Sequence, residues 1–368
     1  MTHPTVARID LDAIAANFRA VRDLVAPVAT IAVVKANAYG HGAVAVGRAL
    51  EAAGATMLAC ADIEEGIALR EGGVRGAILV FGALGVSRLD GLFTHHLTPT
   101  ISTPWAGRAL EREAARRGVR LMCHLKIDTG MNRLGLRADN LRRTMPELAA
   151  HRHLELGAVY THFATADNPD DPFLEEQRRR FDRALDELAA LGVRPPVRHA
   201  ANSAALLRDE RVWYDAVRPG LLLYGLAPAP LATTLPLRPS LRLESRLVAV
   251  KGVRPGEGIG YGLTARPDEP RTIGVVPAGY ADGLDRRLAG RGHVLVGGRR
   301  VPIVGAVSMD MITVDVTGLA VGPGDEVVVL GAQGDQAIDA REMAAAIGTI
   351  PWEVLARIGT RIERTYDG

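Results

Sequence analysis

The chain has 368 residues and a formal net charge of +2 at pH 7, with 48% hydrophobic and 23% charged residues. This length suits two domains, or a barrel with a smaller partner, and the composition is that of a soluble chain able to bury a sizeable core. The near-neutral balance excludes a broad electrostatic pull toward nucleic acid or anionic membrane.

The first residues, M-T-H-P-T-V-A-R-I-D-L-D, lack the basic start and apolar run of a signal peptide, so the expected compartment is the cytoplasm. A first β-type run, I-A-V-V-K, covers 31–35, and a helical run follows over 43–54. Further β-type runs cover 56–61, 77–81, 97–101, 120–128, 154–163, 197–202 and 214–221. Helical runs at 63–71, 105–117, 139–151 and 173–191 separate most of them, and Gly54, Gly72, Gly118 and Gly192 stand where helices close. Eight apolar strands alternating with helices over 8–228 predict a (β/α)8 barrel of TIM type; an open doubly wound sheet is the alternative. Cys60 and Cys123 lie in apolar runs without C-x-x-C spacing and read as buried reduced thiols. From 229 the texture changes. Pro228, Pro230, Pro236 and Pro239 mark a linker. Short runs with Gly and Pro turns follow, among them R-T-I-G-V-V-P, R-G-H-V-L-V-G-G-R-R-V-P-I-V-G and E-V-V-V-L. They predict a mainly antiparallel β domain over 229–368, broken by one helix at 338–347. No apolar stretch is long enough to span a bilayer.

Lys35 ends the first predicted strand in A-V-V-K-A-N-A-Y-G-H-G. A lysine there is carried to the barrel mouth, where partial burial favours the free amine that imine chemistry needs; otherwise it simply snorkels to water. Near strands seven and eight, A-A-N-S-A (200–204) and R-P-G-L (218–221) offer donors to an anion, chiefly Ser203 and Gly220, although glycine and serine are also common in turns. Arg218 and His162 fall at predicted strand ends, and Arg133, in K-I-D-T-G-M-N-R-L-G, could clamp a carboxylate or simply face solvent. In the β domain, G-I-G-Y-G sets Tyr261 among glycines. V-S-M-D-M and P-A-G-Y-A-D-G say little alone.

Taken together, and in matching order out to V-L-A-R-I-G-T-R-I, these segments closely resemble the alanine racemases, fold-type III pyridoxal-phosphate enzymes. The resemblance implies a barrel plus a β domain that residues 1–7 join. It also implies a homodimer with active sites shared between copies. It assigns Lys35 the covalent link to pyridoxal 5'-phosphate and the proton transfer that serves the D-isomer. Tyr261 of a second copy becomes the opposite acid/base. Arg218 would face the pyridine nitrogen, with His162 between Arg218 and the Tyr261 phenol. Arg133 would contact the cofactor's phenolic oxygen and the substrate carboxylate, and the Met309 backbone of the second copy would help hold that carboxylate. Lys126 matches a position often carbamylated in the family. Tyr39, Asn202, Ser203, Gly220 and Leu221 would surround the phosphate end, and Tyr280 and Asp310 would line the entrance. No metal is implied. The implied reaction is interconversion of L- and D-alanine for peptidoglycan. A racemase of serine or another small amino acid, a decarboxylase of like architecture, and a non-catalytic cofactor carrier are the rivals. The chain departs from the pattern at Thr360, where many members carry tyrosine, and at Glu363, where they carry proline.

Overall fold

The computed structural model describes residues 4–82 and 89–368. The first three residues of the predicted 1–7 segment therefore lie outside the described residues. The chain divides into two compact units. One comprises Ala13–Ala36 and Ala43–Arg238. The other comprises Met1–Asp12, Asn37–Gly42 and Pro239–Gly368.

The first unit is a closed barrel. Its strands, in order, are Ala29–Val33, Met57–Cys60, Ala77–Val80, Thr98–Ile101, Leu121–Asp128, Leu154–Tyr160, Val197–Asn202 and Ala216–Arg218. Each pairs in parallel with its neighbours in sequence, and the eighth returns to the first. The predicted barrel is therefore the observed one. Its strands are buried on both faces: Leu58, Ala59, Ile78, Leu79, Leu125 and Ile127 are all at most 1% exposed. The helices between strands start and stop where local chemistry requires. Asp62 caps Ile63–Glu71 by accepting the Glu65 N–H, and Thr103 caps Pro104–Arg117 by accepting the Ala106 N–H, with Pro104 in the first turn. Gly118 closes that helix in the left-handed region. Both cysteines are free and buried.

Several expected boundaries move. The first strand stops at Val33, so Lys35 lies two residues beyond it. The eighth is only Ala216–Arg218, because Leu221–Tyr224 turns into a 3-10 helix. Helices Leu11–Val25, Asp90–Thr94, Ser203–Arg208 and Pro351–Ala356 join those predicted.

The second unit is a mainly antiparallel sheet. Leu241–Arg246 pairs antiparallel with Val6–Asp10 on one side and with Glu326–Gln333 on the other. Glu363–Asp367 extends the sheet, parallel to Val6–Asp10. His293–Val296 and Arg299–Val304 form a hairpin. Its two connecting residues, Gly297 and Gly298, both have positive φ (58° and 73°), the backbone a tight two-residue turn needs. Among the described residues, no helix is long and apolar enough to cross a membrane.

Candidate active site

Active sites of such barrels form at the C-terminal strand ends, and that end carries most of the predicted residues. Lys126 lies within the fifth strand, and Arg133 follows it. His162 follows the sixth strand, Asn202 ends the seventh and Arg218 ends the eighth. Arg218 pairs in register with Asn202, and the Ser203 hydroxyl accepts the Gly220 N–H at 2.9 Å, which ties the seventh and eighth strand ends together. Asn202 caps Ser203–Arg208 by accepting the Ala205 N–H, and Leu221 is fully buried.

Beyond Lys35 the backbone does something unusual. Residues 36–39 have φ of 52°, 54°, 54° and 53°, one turn of left-handed helix made from Ala, Asn, Ala and Tyr. L-residues resist this conformation by roughly 1–2 kcal/mol each, so surrounding contacts must hold it. Among the described residues, no hydrogen bond or ion pair holds the Lys35 amine. Its pKa is lowered, first by partial withdrawal from water and then by the charges of Arg133 and Arg218, with Glu65 opposing. Lys126 is 6% exposed and its pKa is pushed down to about 8, again by burial first and by Arg133 and Arg218 next. Its ammonium lies 5.6 Å from the Tyr160 ring centroid.

Arg218 is the best anchored of these groups. Its guanidinium donates to the carbonyls of Thr161 and Ala200, both at 2.8 Å, to His199 Nδ1 at 2.8 Å and to His162 Nδ1 at 3.1 Å. Burial lowers its pKa to about 10, which leaves it charged at neutral pH. Burial and this charge push His162 and His199 well below the usual histidine range, and His124 to about 4. All three histidines are therefore neutral at pH 7, and their tautomers follow from the donors. Arg218 can only donate, so His199 Nδ1 accepts and its proton sits on Nε2. That proton points to His124 Nδ1 at 3.1 Å. His199 also stacks on Tyr160, centroids 4.6 Å apart and planes 9° apart.

The remaining predicted residues belong to the second unit. Tyr39 is buried, and burial raises its phenol pKa. Tyr261 stands between Gly260 and Gly262, at φ 69° and 71°, and is 78% exposed. Met309 and Tyr280 are exposed too. Gly279 is needed there, because a Cβ would lie 2.3 Å from the Met309 carbonyl oxygen. Buried Asp282 takes Arg361 through two bonds of 2.6 and 2.9 Å, and Arg361 reaches Asp310 at 2.9 Å. Thr360 is exposed, and Glu363 opens a strand in register with Val6. Sequence reasoning passed over Glu65, His124, His199, Tyr160 and Arg361. His124 had a signal: H-L-K places it on the same strand face as Lys126.

A parallel barrel that gathers Lys35, Lys126, Arg133 and Arg218 at one end, in a chain that also carries an antiparallel β unit, defines a two-unit barrel protein with a cationic cluster beyond its strand ends. The N-terminal domain model of alanine racemase matches residues 9–228, and the C-terminal domain model matches 240–366. The alanine racemase of Symbiobacterium thermophilum is 44% identical over 99% of this chain and 97% of its own. The crystal structure of alanine racemase from D-cycloserine-producing Streptomyces lavendulae superposes with a TM-score of 0.96 at 37% identity, covering 100% of this chain and 98% of that one. The Bartonella henselae alanine racemase, described with covalently bound pyridoxal phosphate, gives 0.89 at 29% identity over 99% of both chains. The chain belongs to the alanine racemase family and is an isomerase.

Proposed function

We propose that this protein interconverts L- and D-alanine with pyridoxal 5'-phosphate held at Lys35, as a cytoplasmic homodimer that supplies D-alanine for peptidoglycan. The observation that carries this reading is the unpaired Lys35 amine, its pKa lowered beside the anchored Arg218. The residues fit the cofactor chemically. Four cations face two nearby carboxylates, Glu65 and Asp128, which suits a phosphate ester and a substrate carboxylate. The backbone and hydroxyl groups of Ser203, Gly220 and Leu221, with Asn202 behind them and Tyr39, would hold the phosphate end.

When bound, the cofactor supplies a conjugated sink for the electrons left on the substrate Cα. Racemisation then needs a proton taken from one face and returned to the other. The Lys35 Nζ moves the proton on the D face, and the Tyr261 hydroxyl of a second copy moves it on the L face. Arg218 would face the ring nitrogen as a donor and would keep it unprotonated, because even at a pKa of about 10 a guanidinium does not give up its proton readily. His162, neutral and oriented through Nδ1 by Arg218, would present its Nε2–H toward that phenol. Arg133 and the Met309 backbone hold the carboxylate, and Tyr280 and Asp310 line the approach. Lys126, as a carbamate, would orient Arg133. Thr360 leaves less bulk than the family's usual tyrosine, so acceptance of serine would turn on this residue.

The test is to purify the protein with pyridoxal phosphate and follow L-alanine by chiral analysis. Borohydride reduction and peptide mapping then locate the cofactor. Conversion to D-alanine with the tag on Lys35 is expected. A bound cofactor without inversion would make the protein a carrier, and carbon dioxide release would make it a decarboxylase.

A further inference from the structure

We propose that Glu65 is a positioning residue for Lys35: its carboxylate bridges the segments that follow the first two barrel strands and fixes the backbone on which the amine stands. The inference rests on Lys35 being the residue that holds the cofactor. One carboxylate oxygen accepts the Ala36 N–H at 2.6 Å, and the other accepts the Ala61 N–H at 2.7 Å. Ala36 is the residue after Lys35 and opens the left-handed turn. Ala61 directly follows the second strand. A single side chain thus joins the segments that leave the first two strands.

The ordinary role for this position is different. Glu65 is the third residue of a helix capped by Asp62, where a glutamate usually turns back to the N–H of the capping residue. Here Asp62 still caps Glu65, but the Glu65 side chain reaches the preceding Ala61 and crosses to Ala36. Helix capping does not require that crossing. A turn of four L-residues at positive φ does require an external hold at its first amide, and Glu65 supplies it. The same carboxylate opposes the lowering of the Lys35 pKa, against Arg133 after the fifth strand and Arg218 at the end of the eighth. Lys126 and neutral His162 also interact electrostatically with the amine.

The experiment compares wild type with Glu65→Gln, Glu65→Asp and Asp62→Ala in the full-length protein. Hydrogen exchange is followed at the amides of 36 and 61, and Lys35 labelling by trinitrobenzenesulfonate is followed against pH after cofactor removal. Glutamine offers one acceptor and one donor group, so one of the two amides loses its partner. Glu65→Gln should raise exchange there about tenfold and move the labelling midpoint to lower pH, because the anion is gone. Glu65→Asp keeps the charge on a shorter arm; exchange should rise while the midpoint stays, which preserves the test if the glutamine variant does not fold. Asp62→Ala removes the helix cap alone and should change neither reading. Unchanged exchange and midpoint in Glu65→Gln, or the same changes in Asp62→Ala, would overturn the proposal. Should borohydride tag another lysine while these shifts appear, the clamp stands and the cofactor assignment falls.

Discussion

At the scale of single residues, burial decides what each basic group can do. Lys126 shows it most clearly, with a pKa pushed down from 10.5 to about 8. The folded chain therefore binds fewer protons than the unfolded chain between those values. Stability falls as pH drops through that window and levels off below about 8, where the buried cation costs about 3 kcal/mol at most. Lys126→Met should accordingly be stabilising, with a gain that is smallest above pH 10.5 and reaches its plateau below about 8. Thermal melts of both proteins across this range check it, and a difference independent of pH would contradict the assignment. The same shift leaves roughly a tenth of the Lys126 amine neutral at pH 7, the form that carbamylation consumes. Arg218 behaves differently because two carbonyls and two histidines surround it, so it keeps its charge and sets the tautomers of its neighbours.

At the scale of elements, the left-handed turn after Lys35 is the unusual piece of backbone. Two glycines follow it, Gly40 at φ 84° and Gly42 at φ 97°. A Cβ on Gly40 would stand 2.2 Å from the Leu355 carbonyl oxygen, a backbone atom with little freedom to yield. A Cβ on Gly42 would meet the end of the Tyr366 side chain, which can swing away. Gly40→Ala should therefore destabilise by about 3 kcal/mol or more, and Gly42→Ala by about 1 kcal/mol. Denaturant midpoints of the two variants give the comparison; equal losses would show that the Leu355 contact does not matter. This turn was not legible in advance. A-N-A-Y carries no glycine until Gly40, and its residues favour a right-handed helix or a loop. Nor could the Glu65 bridge be read, since its second amide lies 29 positions away. The eight strands were legible because each is a short, continuous apolar run. Their ends were less so, because pairing and burial carry on past the regular ladder: the Val34 N–H still donates to the Ala59 carbonyl at 2.8 Å, and Val34 is as buried as the strand itself. Helix Leu11–Val25 escaped notice although Ile14, Phe18, Val21 and Val25 recur at helical spacing and are buried.

At the scale of the whole molecule, the motifs were informative because their chemistry is spread over many strands. Lys35, Arg133, His162, Ser203 and Arg218 each have a bland explanation alone, and the barrel order brings them to one end. The histidine column behind Arg218 was hidden because single histidines in apolar strands usually serve only packing, and the contacts that link His124 to His199 cross 75 positions. The second unit exposes Tyr261, Leu263 and Met309 to solvent, which motivates the proposal that a second copy covers them. That proposal and the role of Lys35 meet in one complementation measurement. Lys35→Ala and Tyr261→Ala chains, each inactive as a homodimer, are co-expressed with different tags and the mixed dimer is isolated. If each site takes its lysine from one copy and its tyrosine from the other, the mixed dimer keeps one intact site and should show about half the wild-type racemase rate. A mixed dimer no more active than its inactive parents would contradict the account.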